Sequence, residues 1–428
     1  MRWILHYRLR EYLAINLWVL PMLFTIGGYF FAHVAVEVDK RNTVLEMVYD
    51  PSYATTLLAA MFSGIVTFIG FVITIVLLVP QFAGTQLSPR ILSIWYRRSP
   101  IKLALSFFFF SAAYVFTVLG EINSSYQPGL SINVAGILVF LGFLFFLWFV
   151  SHFSTGIRPA SMAEAVARRG RDVISRLYPR PYTPSVAPPQ ASDALPLGEP
   201  VFTLRNPGDG RYINGINEAG LVALAERLHG IVVVRFAVGE YARAGATLIE
   251  VYAGHAPKAV QVRRLIVLGT ERTIEQDPAY AIRILVDVAI KGLSSAVNDP
   301  TMAVQALDRI SDLLHMLVQR DLNNNPLSDA SARPRVIIPR WTWDDYLRLG
   351  AWEIAQYGQD SVQVMRRLRA MFLSLSRIAP PERLAAIEAE VRLLDRAAAG
   401  RFPDASERTI AWEPDFQGLG IRRGTDDW

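Results

Sequence analysis

Four stretches of this sequence run without a charged side chain for long enough to cross a bilayer, at about 13–32, 54–79, 103–120 and 132–150. About 20 consecutive apolar residues suffice for a transmembrane helix, because a helix satisfies its own backbone polar groups in hydrocarbon. The longest stretch, Ala54–Val79, carries a second pattern. Thr56, Ala60, Ser63, Thr67, Gly70 and Thr74 recur at spacings of three and four, so small and hydroxylated residues share one stripe of the helix. The other faces are Leu, Ile, Val and Phe. Packing against a neighbouring helix is the plainer reading of such a stripe, since small residues let backbones approach; the wall of a pore is the other. Pro80 and Gln81 mark the expected end of the span, and Ile91–Arg98 reads as an interfacial piece beyond it.

Charge between the spans sets their direction. Arg2, Arg8 and Arg10 precede the first span, and His33–Tyr53 after it is net acidic. The next connection holds Arg90, Arg97, Arg98 and Lys102 with no acid; Glu121–Ser131 has one acid and no base; Arg158, Arg168, Arg169 and Arg171 follow the fourth span. Basic connections stay on the cytoplasmic side. The alternation therefore predicts a multi-pass protein of the inner (plasma) membrane, with both termini and the whole carboxy-terminal half cytoplasmic. The first span lacks a small-residue cleavage site and reads as an uncleaved helix, kinked by Pro21 with Gly27 and Gly28. No ionisable residue stands in the middle of any span, which disfavours proton- or ion-coupled transport and voltage sensing.

Composition narrows the rest. A chain of 428 residues that is 52% hydrophobic and 19% charged is too apolar for an ordinary soluble protein, yet its second half reads as globular. Without cysteine there is no disulfide, thiolate site or cysteine nucleophile. The six histidines, at 6, 33, 152, 229, 255 and 315, are never paired at a helical metal-binding spacing, so neither metal nor cofactor is expected. Nucleic acid is not an expected partner either, because the basic residues concentrate beside the membrane.

The fold class is thus a membrane α-helical protein with four transmembrane helices plus a cytoplasmic α+β domain. Its expected parts are a transmembrane domain at 1–156, a basic juxtamembrane helix and proline-rich linker at 157–200, the α+β domain at 201–400, and an irregular tail at 401–428. Arginines on the juxtamembrane helix would attract anionic lipid headgroups. Val201–Leu204, Tyr212–Ile216, Ile231–Phe236 and Thr247–Tyr252 read as strands, and the hairpins around them resemble a small β-barrel of the lipoyl carrier type. No lysine stands at a hairpin tip to carry a prosthetic group, so that resemblance is structural. Asn217 caps a helix to about Leu228, and Val336–Pro339 reads as a short edge strand. Asp277-Pro278 and Asn298-Asp299-Pro300 each put Asp at a cap with proline at the first helical position. Asp344–Ile378 and Glu382–Ala398 read as further amphipathic helices.

Around these caps the chain resembles a family of bacterial membrane proteins, domain of unknown function 2254. The residues that carry the resemblance are Gln86, Ser88, Pro89 and Arg90 with their neighbours after the second span, Arg272, Thr273, Gln276 and Asp277, and Leu293–Asp308 with Asn298, Asp299, Pro300 and Asp308. Leu87 stands where the family usually has an aromatic, and Ser295 where it usually has proline. The resemblance implies a four-helix membrane domain with a cytoplasmic domain and brings no established activity. The polar motif residues could gather in a cleft and do acid–base work. Capping already accounts for Asp277 and Asp299, however, and Arg272 could hold either of them by a charge-assisted hydrogen bond. No enzyme is expected. The favoured function is a homo-oligomeric channel-like or permeation protein gated by its cytoplasmic domain, with the Thr56–Thr74 stripe facing the axis. The alternative is a membrane-anchored regulator or scaffold whose cytoplasmic domain binds a ligand or partner.

Overall fold

The structure, a computed structural model, describes residues 13, 16–41, 49–86, 90, 99–122, 129–156, 158–184, 198–322, 326–402 and 404–419. The chain divides into two compact units, Leu5–Ser161 and Met162–Trp428.

In the first unit four helices are long and apolar enough to cross a membrane: α1 (Val19–Arg41), α2 (Pro51–Gln86), α3 (Ser99–Glu121) and α4 (Leu130–Gly156). All four outrun the expected spans, α1 and α2 by the most. Helix α1 continues through the acidic segment, where Arg41 pairs with Glu37 at 2.8 Å one turn away. Helix α2 passes through Pro80 to Gln86, although Pro80 was expected to end it. A proline removes one helical bond, and inside hydrocarbon the released backbone has no better conformation than helix. Pro21, expected to kink α1 together with Gly27 and Gly28, lies in the first turn, where a missing N–H costs nothing.

Helix α3 is the hub. Half of its spanning window is buried, against 17% to 28% for the other three. Consecutive residues of a helix point about 100° apart, so the run Phe107–Phe110 addresses several neighbours at once. Phe110 meets Phe31 of α1 at 5.9 Å, Phe108 stacks on Phe68 of α2 at 5.8 Å, and Phe107 meets Phe145 of α4 at 5.5 Å. Lipid tails are as apolar as leucine, so close packing of this kind and polar contacts hold the bundle. Gly28 has a packing role here, because a Cβ there would collide with the Phe110 carbonyl. At the end of α1, Asp39 caps α4 from outside: its carboxylate accepts from the N–H groups of Gly129, Leu130 and Ser131 at 3.0–3.1 Å, and from the Ser131 hydroxyl at 2.9 Å. A carboxylate at a helix N-terminus meets both orphan donors and the positive end of the dipole.

The second unit begins with α5 (Pro159–Leu177), whose apolar face, including Met162, Val166, Val173 and Ile174, is buried. Five strands then form one sheet: β1 (Phe202–Arg205), β3 (Ile231–Val234), β5 (Thr247–Tyr252), β7 (Leu327–Ser328) and β8 (Pro334–Ile337), in the order β1-β5-β3-β8-β7. A second sheet has β2 (Arg211–Ile216) between β4 (Tyr241–Ala242) and β6 (Ile266–Gly269). Both sheets are open, and the described strands close no barrel. The hairpin signals set local strand order, but the chain returns to the first sheet through β8, which the barrel reading left out. Strand β8 is interior, parallel to β3 with Val232 opposite Val336 and antiparallel to β7, so Val336–Pro339 is not an edge. Helix α6 (Glu218–Arg227) starts where Asn217 accepts from the Gly220 N–H, and the short α7 (Ala259–Arg263) precedes β6.

A helical layer completes the unit. Helices α8 (Pro278–Leu293) and α9 (Pro300–Val318) are its centre, and a Cβ added at Gly170 of α5 would stand 3.0 Å from Leu313 and 3.1 Å from Ala281. So α5, expected as a basic juxtamembrane helix, packs into the helical core through a small residue. The stretch Asp344–Ile378 is two helices and not one, α10 (Trp343–Tyr357) and α11 (Val362–Ile378), because Gly358 closes the first and Ser361 caps the second. They are followed by α12 (Pro381–Arg401). The tail expected to be irregular holds α13 (Ala405–Trp412), which Asp404 caps through the N–H groups of Ser406 and Glu407.

Candidate functional site

The stripe on α2 is exposed. Ala54, Leu58, Ile65, Val72 and Val76 are the buried face, while Thr56, Ser63, Thr67, Gly70 and Thr74 are all exposed. No atom lies within 4 Å of a Cβ placed on Gly70. The threonine hydroxyls turn back on their own helix: Thr56 donates to the Ser52 carbonyl at 2.9 Å, Thr67 to Ser63 at 2.9 Å, and Thr74 to Gly70 at 2.8 Å. Contact between helices of one chain, the plainer reading of the spacing, is therefore replaced by an outward face. The motif after this helix is only partly visible. Gln86 ends α2, Arg90 is exposed in a turn, and Ser88, Pro89 and the interfacial piece Ile91–Arg98 lie outside the described residues.

In the second unit the polar motif residues do not gather in one cleft. The connection from β6 to α8 carries Arg272, Thr273, Gln276 and Asp277. Arg272 Nε donates to Asp277 Oδ2 at 2.5 Å and its guanidinium lies 5.3 Å from the centre of the Tyr280 ring. Asp277 also caps α8, accepting from the Tyr280 N–H at 3.0 Å, and Gln276 Oε1 accepts from the Ile216 N–H at 2.9 Å, tying β2 to the same corner. Gly239, at φ +92°, passes directly over the ion pair; a Cβ there would collide with Asp277 and Arg272. Asn298 and Asp299 stand at the far end of α8, which at 1.5 Å per residue is about 24 Å away for its 16 residues. Arg272 thus holds Asp277 and cannot hold Asp299. Asp299 caps α9 through the Met302 N–H at 3.1 Å, with Pro300 behind it. Asp308 sits further along α9 and pairs with Arg367 Nε at 2.6 Å; Arg367 in turn donates to the Phe416 carbonyl at 2.8 Å, so this pair braces the tail.

Beside Gln276 and Asp277 lies a cavity of about 40 Å³ whose other polar walls are Tyr178, Glu218, Arg340 and Tyr346. The two phenol oxygens are 3.1 Å apart, and Arg340 Nη2 is 2.8 Å from Glu218 Oε2. These four side chains come from the end of α5, the start of α6, the turn after β8 and the first turn of α10. No spacing rule could have assembled them.

A family profile described as a predicted membrane protein, DUF2254, matches residues 15–374 of the chain. The chain belongs to the DUF2254 family. Its relatives include the uncharacterized proteins Mb1321c of Mycobacterium bovis and Rv1290c of Mycobacterium tuberculosis, each 25% identical over 421 residues, covering 94% of this chain and 79% of the relative. The uncharacterized protein MT1328 of Mycobacterium tuberculosis is 26% identical over the same share. No solved structure matches the chain.

In this DUF2254 protein burial governs the ionisable groups at the cavity. It pushes the Asp277 carboxyl up, with the Arg272 hydrogen bond and charge pulling it back down. Burial likewise raises the Tyr178 phenol, and raises that of Tyr346 well above its ordinary value. Both phenols are therefore protonated donors at neutral pH. Among the described residues no three His, Cys, Asp or Glu side chains stand close enough to hold a metal ion.

Proposed function

We propose that this DUF2254 chain is a homo-oligomeric, channel-like or permeation protein of the inner membrane, with both termini and the second unit cytoplasmic and that unit acting as its gate. The observation that carries the reading is the exposed face of α2. Thr56, Ser63, Thr67, Gly70 and Thr74 are exposed, and small, hydroxylated residues are what a close contact between copies or a weakly polar wall requires. Phe108, Tyr114 and Phe149 are buried in the bundle, and the cavity of about 320 Å³ between α2, α3 and α4 is lined almost wholly by apolar side chains, so a path for ions or polar solutes has to form between copies, around a symmetry axis. Exposed Arg168 and Arg176 on α5 are the expected contacts for anionic headgroups, at roughly 1 kcal/mol per charge near the surface. The reading assigns no catalytic step.

A membrane-anchored regulator or scaffold is the second reading, and one observation favours it. Each of the three threonine hydroxyls already donates to a carbonyl of its own helix, so these threonines can face lipid with their donors met. Flux measurements separate the two. The purified full chain in liposomes should pass ions or small solutes, and Ser63→Leu or Thr67→Leu should cut that flux about tenfold or more with oligomer mass unchanged on the same sample. Tight liposomes, or flux indifferent to both substitutions, would leave the anchored regulator.

A further inference from the structure

The small cavity beside Gln276 has more donors than its own walls can use. Arg340 has a side chain only 10% exposed, and its one ion pair is with Glu218. A guanidinium presents five N–H groups; Glu218 is the only acceptor among the described residues that meets those of Arg340, and because none of the arginine's nitrogens is fully buried without a partner the others reach solvent. Tyr178 and Tyr346 are 4% and 1% exposed and share a single hydrogen bond. Two phenols have two protons between them; one is spent on the other ring's oxygen, and the second has no acceptor among the described residues. Gln276 accepts through its Oε1 and makes no donation through its amide nitrogen. Guanidinium, phenol and carboxamide thus turn surplus donors toward one space. The second phenol proton is the one costly to leave unmet, because that pair is buried; the guanidinium and carboxamide donors meet water, which an occupant that brings acceptors replaces.

Charge and size narrow the class. Asp277 also borders the cavity, but its oxygens are held by Arg272 and by the start of α8. Glu218 is the one anion placed to compete, since it already touches Arg340. A water needs roughly 10–15 Å³ of such space, so about 40 Å³ holds on the order of three water-sized atoms. A carboxylate group has three heavy atoms and two acceptor oxygens. Acetate adds only a methyl to that, whereas phosphate, with five heavy atoms in a tetrahedron, overfills the space further.

We propose that this DUF2254 protein binds a small carboxylate in its second unit, with Arg340, the Tyr178–Tyr346 pair and Gln276 as donors and Glu218 as the internal anion it displaces. The inference concerns that unit alone and stands whether or not α2 lines a conducting axis.

The test is equilibrium titration of the full chain in lipid nanodiscs with sodium acetate and, separately, inorganic phosphate, at fixed ionic strength. Calorimetry and the fluorescence of tryptophan are the readouts, because Trp341 also borders the cavity. Acetate should bind saturably and phosphate should not. Tyr346→Phe should weaken acetate about tenfold, the usual size for one hydrogen bond to a charged group. Arg340→Gln should abolish binding. Glu218→Gln should instead tighten it by roughly tenfold, because the competing anion is gone. That side chain is 36% exposed at the first turn of α6, so its replacement leaves the fold intact. The opposite signs at Glu218 and Tyr346 are what a merely structural cluster would not give. Absence of saturable acetate binding in both the parent chain and Glu218→Gln, preference for phosphate, or equal affinity in Tyr346→Phe each overturns the proposal.

Discussion

Asp277-Pro278 and Asn298-Asp299-Pro300 are the same device in sequence and opposite devices in space. Each aspartate accepts from the N–H three residues on, Tyr280 at 3.0 Å and Met302 at 3.1 Å, and each proline fills the first turn of the helix it opens. The first is 2% exposed, carries an ion pair with Arg272 under a glycine that leaves no room for a side chain, and borders a cavity. The second is exposed at a surface turn. A motif of three residues therefore fixes the start of a helix and says nothing about what surrounds it.

The largest effect should come from breaking that burial. Asp277→Ala removes the cap, worth about 1 kcal/mol, and leaves a mostly buried Arg272 without its anion; breaking a buried pair costs about 3–5 kcal/mol, and less here because Arg272 is partly exposed. A total near 3 kcal/mol is the expected loss. Hydrogen exchange of the full chain should show faster opening along all of α8, beginning at Tyr280, with the membrane helices unaffected. A loss as small as that of a surface cap would mean that the Arg272 pair contributes nothing beyond position.

The contrast also marks how far the residues alone could carry the reading. Long uncharged runs determine helices in hydrocarbon, so the four spans were legible, and the caps at Asn217, Asp277 and Asp299 were legible because their donors are three residues away. What was not legible depends on partners remote in the chain. Asp39 looked like one more acid in a polar connection until α4 placed its N-terminus against it. The face taken by Thr56–Thr74 is periodic in either environment, and only the packing of α3 shows that it turns outward. Strand β8 has two interior partners that no local pattern names. Tyr178 and Tyr346 are 168 residues apart, and Arg340 meets Glu218 across a comparable gap, so the donor-lined cavity has no sequence signature at all.

At the exposed counterpart the expected effects are smaller. Asp299→Ala should cost about 1 kcal/mol, the ordinary price of an N-cap, confined in hydrogen exchange to the first turn of α9 around Met302. A cost near 3 kcal/mol would place an unseen partner on Asp299 and erase the distinction between the two motifs.

The smallest change is Asn298→Gly. Asn298 has φ +48°, in the left-handed region that asparagine tolerates and glycine occupies without strain. Glycine also loosens the unfolded chain, which works against the relief, so the two terms nearly cancel and the net should stay within about 0.5 kcal/mol. Ser295, which stands where the family usually has proline, is exposed in the same turn. Its backbone neighbours are already fixed: Asn298 N–H donates to the Ser294 carbonyl at 2.8 Å and Asp299 N–H to Gly292 at 2.7 Å. These bonds hold the turn without help from the residue-298 side chain, so unfolding of Asn298→Gly should match the parent chain. A clear destabilisation would show that the asparagine side chain makes a contact of its own and that the exposed motif, too, has work beyond opening a helix.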